Sequence, residues 1–182
     1  MSITPDILYE ILQKIDYLDI SRWCRSSPEF ANFCRSERGQ TLIRQKQQKY
    51  REERVEDFLD GLSISDRAGL IGTLERTNYL EQQSGQSQSI PSQFFDQFYQ
   101  LLEDANELFR QRHPDAYTNF RGLVIPKRAF TIEELDEKNN STYDVLKQVL
   151  LGYYDLLPTV KQNFEQSKYG TGSIGVYGGE AR

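Results

Sequence analysis

The stretch ITPDILYEILQKIDYLDISRWC, residues 3–24, combines a helix start with two apolar segments. Thr4 is a residue type that caps helices, Pro5 suits the first helical position, and Asp6 lies where an acid stabilises the positive end of a helix dipole. The apolar residues that follow recur at the spacing of one helical face: Ile7, Leu8, Ile11, Leu12 and Ile15. This stretch therefore predicts an amphipathic helix near the beginning of the sequence.

Two more short helices are predicted directly after it. Asp19 could cap the first of them, and Ser27 followed by Pro28 has the order of a cap and a first-turn proline. Gly39 is expected to separate these helices from a longer one over about residues 41–60. The apolar residues of the longer helix cluster at its two ends, so we expect its polar middle to be exposed.

The remainder of the chain also has helical periodicity. Ser65 and Asp66 are expected to start a helix whose inner face carries Ala68, Ile71, Leu74, and Tyr79 or Leu80. Residues 92–112 have the clearest amphipathic pattern, which ends at His113 and Pro114. Its apolar stripe consists of Phe94, Phe95, Phe98, Leu101, Leu102, Ala105, Leu108 and Phe109.

Capping signals predict three helices near the C-terminal end. Thr131 and Glu134 have capping-box spacing and are expected to start a short acidic helix. Ser141 or Thr142 is expected to cap the next helix, and Pro158 to begin the last one.

These patterns together predict a mainly α fold. The one exception is a short strand or extended loop at residues 122–130, GLVIPKRAF, where Pro126 restricts any strand to a sheet edge. The predicted organisation is a helical module at 1–46, a helical domain at 47–168 with a Gln/Ser-rich loop or linker at 83–92, and a Gly-rich tail at 169–182.

Composition and charge exclude several classes of protein. The 182 residues carry a net charge of −5, which argues against nucleic-acid binding. The locally basic segment 35–54 is better explained as a solvated helix face. The sequence has no basic-then-apolar leader and no long apolar run, so we expect an intracellular protein, cytoplasmic in location, without membrane association.

The sequence predicts no metal, cofactor or catalytic site. Its two cysteines, Cys24 and Cys34, form no CxxC pair; the sequence leaves a disulfide between them open but favours two buried thiols. His113 is the only histidine and is interpreted as a surface residue at a helix end rather than a general base. The acids Glu133, Glu134, Asp136 and Glu137 are expected to be exposed on a polar helix, and the Gly-rich tail has no following helix to make it a phosphate loop.

The opening residues resemble an F-box. Ile3 and Pro5 match the leading apolar-proline pair, and Asp6 matches the acid after it. Ile7, Leu8, Ile11, Leu12 and Ile15 match the first helix, and Leu18, Asp19 and Ile20 match the second step. Trp23, Cys24 and Phe30 fall at or near apolar and aromatic positions of the pattern. The resemblance covers residues 3–46 and extends to the F-box-like N-termini of proteins from large DNA viruses.

Membership of that family would imply docking onto a Skp-type adaptor and, through it, onto a cullin ubiquitin ligase. The rest of the chain would then recruit a target. The residues expected to form the docking module, some buried and some in contact with the partner, are Ile3, Pro5, Ile7, Leu8, Ile11, Leu12, Leu18, Ile20 and Trp23. We expect Leu8 to be among the exposed members.

A second interpretation is a structural protein. The many tyrosines and phenylalanines, the lack of a catalytic constellation and the Gly-rich tail fit a minor capsid or virion-associated protein of a large DNA virus. The partners would then be neighbouring subunits of an assembly, and the opening helices would only be scaffolding.

Overall fold

The computed structural model describes residues 3–85 and 89–169. Within this part of the chain the fold is mainly α, as the sequence predicts, with one short hairpin. The helices are α1 (Pro5–Lys14), α2 (Ile20–Cys24), α3 (Pro28–Arg35), α4 (Glu37–Asp60), α5 (Ile64–Gln83), α6 (Ser92–Arg112), α7 (Ile132–Gly152) and α8 (Leu157–Tyr169). The strands are β1 (Tyr117–Phe120) and β2 (Leu123–Pro126), and single 3₁₀ turns lie at Tyr17–Asp19, Pro114–Ala116 and Tyr154–Leu156.

The chain divides into two compact units, Met1–Arg54 and Val55–Arg182. The first unit extends beyond residue 46, where the sequence suggests the end of the module, because α4 continues through that position without a break. The predicted Gly-rich tail lies outside the described residues from residue 170 onward.

Local capping signals determine where the helices of the first unit begin. The Thr4 side chain accepts a hydrogen bond from the Ile7 amide at 3.3 Å, and Ser27 does the same for the Phe30 amide at 3.1 Å. Each cap is followed by a proline in the first turn, as predicted. The helices enclose a small core of Leu8, Leu12, Ile20, Phe33 and Leu42.

Gly39 does not end a helix. It lies inside α4, and a Cβ atom at this position would be 2.0 Å from the Phe33 carbonyl oxygen. The glycine therefore allows α4 to approach α3 closely, and the predicted break at this residue is wrong.

Cys24 and Cys34 form a disulfide, so the expectation of two thiols is wrong. Cys24 ends α2 and Cys34 lies in α3, and the short connection between these helices brings their Cα atoms to 6.0 Å. Next to the disulfide, the Trp23 and Phe30 rings stack with centroids 4.3 Å apart. Together the two contacts hold the five-residue α2 against α3.

The second unit has a larger core, built by the end of α4 together with α5, α6, α7 and α8. Its buried apolar residues are Val55, Leu59, Leu70, Ile71, Leu74, Ile90, Phe94, Phe95, Phe98, Val145, Leu146, Val149, Leu150, Leu157, Val160 and Phe164. α6 has the predicted bounds, and its stripe is buried or half-buried except for Leu108, which is exposed. Ile90 is fully buried and its carbonyl accepts from the Asn78 side chain at 2.6 Å, which anchors the Gln/Ser-rich segment to this core.

The inner face of α5 differs from the predicted one. Ser63, not Ser65, caps this helix, and its core face is formed by Leu70, Ile71, Leu74 and Asn78. Ala68, Tyr79 and Leu80 are exposed. The apolar residues of α5 occupy more than one face, so periodicity alone does not identify the buried one.

α7 is one helix where the sequence suggests two. The Thr131 hydroxyl and the Glu134 carboxylate form the predicted capping box, with bonds of 3.1 and 2.8 Å. Thr142, a predicted cap, instead donates to the Lys138 carbonyl within the helix at 3.1 Å. The helix therefore continues through Ser141 and Thr142 to Gly152.

The predicted strand is part of a hairpin. β1 and β2 are antiparallel with Phe120 opposite Leu123 and Tyr117 opposite Pro126. The two turn residues, Arg121 and Gly122, have φ values of 52° and 83°. Both values lie in the left-handed region that a two-residue type I′ turn requires.

Candidate docking surface and charged cluster

α1 carries apolar residues on both of its sides. Leu8 is 5% exposed and Leu12 is fully buried, and both pack into the core of the first unit. On the outer side, Ile3 is 41% exposed, Ile7 is 50% exposed and Ile11 is half-buried. We call Ile3, Pro5, Ile7 and Ile11 the α1 surface.

A shallow hollow of about 250 Å³ lies on this surface. It is lined by Asp6, Ile7, Glu10, Ile11 and Lys14. The apolar side chains are therefore bordered by two acids and a lysine, an arrangement that resembles the apolar centre and polar rim of a protein interface.

Contacts with α4 hold α1 in place within the first unit. Arg38 forms an ion pair with Asp6 at 2.7 Å, and its guanidinium lies 4.5 Å from the centre of the Tyr9 ring. Lys46 donates to the Gln13 carbonyl at 2.9 Å. These contacts accompany the burial of Leu8 and Leu12, which orients α1 so that Ile3 and Ile7 face outward.

The structure divides the predicted docking residues into exposed, buried and half-buried groups. Ile3, Pro5, Ile7 and Leu18 are exposed, and Leu18, at 72%, is more exposed than Ile3 or Ile7. Leu8, Leu12 and Ile20 are buried in the core, so the expectation that Leu8 is exposed is wrong. Trp23 is half-buried against Phe30.

A charged cluster lies in the second unit, where α6, the hairpin and α7 meet. Arg128 forms a two-pronged ion pair with Glu134, with distances of 2.9 and 3.0 Å, and also contacts Asp115 at 3.0 Å. The Arg128 guanidinium, together with the Thr131 amide, lowers the pKa of Glu134 to about 2. Glu134 is buried, so its predicted exposure on a polar helix face is wrong.

His113 is also part of this cluster. Its Nε2 lies 2.9 Å from Glu137 and its Nδ1 lies 3.3 Å from Glu134. Hydrogen bonds from His113 and Arg112 lower the pKa of Glu137. The histidine is partly buried and joins the end of α6 to the start of α7, which corrects its interpretation as a surface residue.

Aromatic residues pack under the cluster. Phe109 is almost fully buried, and its ring makes edge contacts with Tyr117 at 6.3 Å and Phe130 at 5.7 Å between centroids. The Lys138 ammonium lies 4.5 Å from the Phe109 ring centre, and burial lowers its pKa. The charged groups thus lie over an apolar base that fixes the hairpin to the helices.

The sequence does not predict the exposed part of the hairpin. Phe120, Leu123, Val124 and Ile125 are all exposed. The residues Arg121 and Gly122 between two short apolar runs are a signal for a two-residue turn, but β1 has weak strand alternation.

Comparisons with protein-family models, curated proteins and solved structures found no match for this chain. In residues 3–85 and 89–169 there is no group of three or more side chains suited to holding a metal ion. The helices in these ranges are all too short or too polar to cross a membrane.

Proposed function

We propose that this protein is a non-enzymatic interaction protein whose first unit docks a Skp-type adaptor and, through it, a cullin ubiquitin ligase. The observation that carries this proposal is that α1 is apolar on two sides, of which only one faces the core of the first unit. Leu8 and Leu12 are buried, while Ile3 and Ile7 remain about half exposed. The resemblance of residues 3–46 to an F-box supplies the identity of the partner.

The energetics support the α1 surface as a binding site. Full burial of an isoleucine side chain contributes roughly 1.5–3 kcal/mol, so completing the burial of Ile3, Ile7 and Ile11 would stabilise a complex measurably. The hollow beside Ile7 offers a place for a side chain of the partner, as interface anchors require. Asp6, Glu10 and Lys14 provide the polar border that sets orientation.

Two features of the charged cluster support a role without catalysis. Both ring nitrogens of His113 contact carboxylates, and Glu134 is held by Arg128 and Thr131. A general base needs access to the proton that it removes, and these groups are occupied by one another.

The disulfide restricts the cellular compartment in which the oxidised protein would meet the adaptor. Disulfides are rare in the reducing compartments where an intracellular ubiquitin ligase would be met. Because Cys24 and Cys34 connect two helices of the first unit, the oxidised and reduced proteins must be tested separately.

The test is a pull-down with a purified Skp-type adaptor. We expect the wild-type protein to be captured and Ile7→Asp to be lost, since a charge on this surface would oppose desolvation. Leu80→Asp is the matched control because Leu80 is similarly exposed but lies on α5. Circular dichroism establishes that both variants are folded, and absence of capture in both redox states would refute the proposal.

A structural role in an assembly is the second candidate. The observation that favours it is the density of exposed apolar side chains between residues 120 and 135. Six of the fourteen large apolar side chains exposed in the described residues lie there. Such a surface is expected on a subunit that contacts neighbours, and its most direct test is self-association.

A further inference from the structure

No other element covers the exposed part of the hairpin in the described residues, and the guanidinium of the turn residue Arg121 lies 5.3 Å from the Phe120 ring centre. Phe120 and Leu123 are directly opposite each other in the ladder, and Ile125 lies on the same face because strand residues alternate. Phe120 is 56% exposed and Leu123 is 66% exposed. We call Phe120, Leu123 and Ile125 the hairpin surface, and Val124 lies on the other face.

Only the base of the hairpin is supported by other elements. The Lys127 amide donates to the Ala116 carbonyl at 2.9 Å, and Tyr117 packs on Phe109 and Phe130. A two-stranded hairpin in water is marginally stable unless one of its faces is covered. Burial of the hairpin surface by a partner would therefore stabilise both the hairpin and the complex.

The hairpin surface is bordered by positive charge. Arg121 lies at the turn and Lys127 directly follows β2, and neither forms an ion pair with any residue that the structure describes. Residues 117–130 contain no acid, although the chain as a whole is acidic. The partner of this surface must therefore be both apolar and negatively charged.

The first turns of α7 have that chemistry. Ile132 is 75% exposed and Leu135 is 46% exposed, and the acids Glu133 and Asp136 are exposed beside them. Neither acid forms an ion pair within residues 3–85 and 89–169. We call these four residues the helix surface.

The two surfaces belong to one continuous segment of the second unit. Arg128, just after β2, is bound to Glu134 of α7, and Thr131 caps α7 between them. A two-fold symmetric interface requires that a molecule present both complementary surfaces, because each contact occurs twice. The charged cluster keeps the hairpin and helix surfaces on the same part of the fold.

We propose that a second copy of this chain docks here, with the hairpin surface of each copy packed on the helix surface of the other. The basic residues Arg121 and Lys127 then lie near Glu133 and Asp136 of the partner copy, and the apolar side chains of both surfaces are removed from water. This interface is in the second unit and does not depend on adaptor docking by the α1 surface.

Sedimentation equilibrium of the full chain over a range of concentrations tests the proposal. The monomer mass is 21.2 kDa, and we expect a concentration-dependent species of twice that mass. Leu123→Asp is expected to raise the dimer dissociation constant at least about tenfold, whereas the similarly exposed control Leu80→Asp leaves it unchanged. A wild-type protein that stays monomeric at all concentrations, or a dimer insensitive to Leu123→Asp, would overturn the proposal.

Two double variants with reversed charges test the contact between the hairpin surface of one copy and the helix surface of the other. One variant carries Arg121→Glu with Lys127→Glu, and the other carries Glu133→Lys with Asp136→Lys. Each alone is expected to be monomeric, since like charges face each other at both halves of the interface. Mixed together they are expected to form a heterodimer, because both halves again pair opposite charges. A mixture that remains monomeric while wild type dimerises would contradict the proposed contact.

Discussion

The two compact units are stabilised by different means. In the described residues, the core cluster of the first unit has five buried apolar side chains, from Leu8 to Leu42, and this unit has a disulfide. The core cluster of the second unit has sixteen buried apolar side chains, and this unit has no cysteine. A small unit buries a lower fraction of its surface and benefits from a covalent link, whereas a larger helical unit is stabilised by its core. The two units should therefore respond to different perturbations, the first to loss of the covalent link and the second to loss of core volume.

The largest expected loss of stability comes from a substitution in the core of the second unit. Phe94 is fully buried and its ring contacts Phe95 and Tyr153, so Phe94→Ala is expected to lower the free energy of unfolding by about 3–5 kcal/mol. Far-UV circular dichroism follows the helices, and the fluorescence of Trp23, the only tryptophan, follows the first unit. We expect the dichroism transition to move while the fluorescence transition stays. Equal shifts in both signals would contradict independent stabilisation of the units.

Loss of the disulfide is expected to shift the fluorescence transition and to leave the dichroism transition in place. Reduction, or replacement of Cys24 and Cys34 by alanine together, removes a cross-link that closes a loop of ten residues. The entropic cost in the unfolded chain predicts a loss of about 3 kcal/mol. The fluorescence transition of Trp23 is expected to move to lower denaturant concentration, with the dichroism transition of the second unit unchanged. A reduced protein with an unaltered Trp23 transition would show that the link is dispensable.

Two glycine substitutions compare helix contacts in the two units. Gly39→Ala places a Cβ against the Phe33 carbonyl and is expected to destabilise the first unit by about 1–3 kcal/mol. At Gly69 of α5 a Cβ meets nothing within 4 Å, so Gly69→Ala is expected to stabilise by up to about 1 kcal/mol. Denaturant titration measures both values. A neutral or stabilising Gly39→Ala would indicate that the α3–α4 approach does not require a glycine.

The last expected effect is confined to low pH. The folded-state pKa of Glu134, about 2, is below its unfolded value of about 4.5, so its stabilising effect is complete above pH 4.5. It is lost progressively as the pH falls from 4.5 towards 2. Glu134→Gln should therefore flatten the pH dependence of the dichroism transition in this window. An unchanged pH profile would mean that the Arg128 contact is not maintained in solution.

Local signals in the sequence predict much of this fold. Thr4 with Pro5, Ser27 with Pro28, and Thr131 with Glu134 act through hydrogen bonds three residues along the chain, and all three start helices as predicted. The apolar stripe of α6 is long enough for its periodicity to define its bounds.

Features that depend on distant residues could not be predicted. Ile7 and Leu8 are adjacent and both apolar, and only the packing of α1 on the core decides that Leu8 is buried and Ile7 exposed. The burial of Glu134 depends on Arg128, and the disulfide depends on the approach of α2 to α3. The spacing of residues along the sequence does not determine any of these three contacts.

The most direct test of adaptor docking by the α1 surface is hydrogen exchange of the full chain with and without the purified Skp-type adaptor. We predict slower exchange confined to residues 3–15 when the adaptor is present, because covering Ile3, Ile7 and Ile11 restrains the opening of α1. Exchange in the hairpin, residues 117–126, should not respond to the adaptor. Unchanged exchange across residues 3–15 at saturating adaptor would contradict the proposed docking surface.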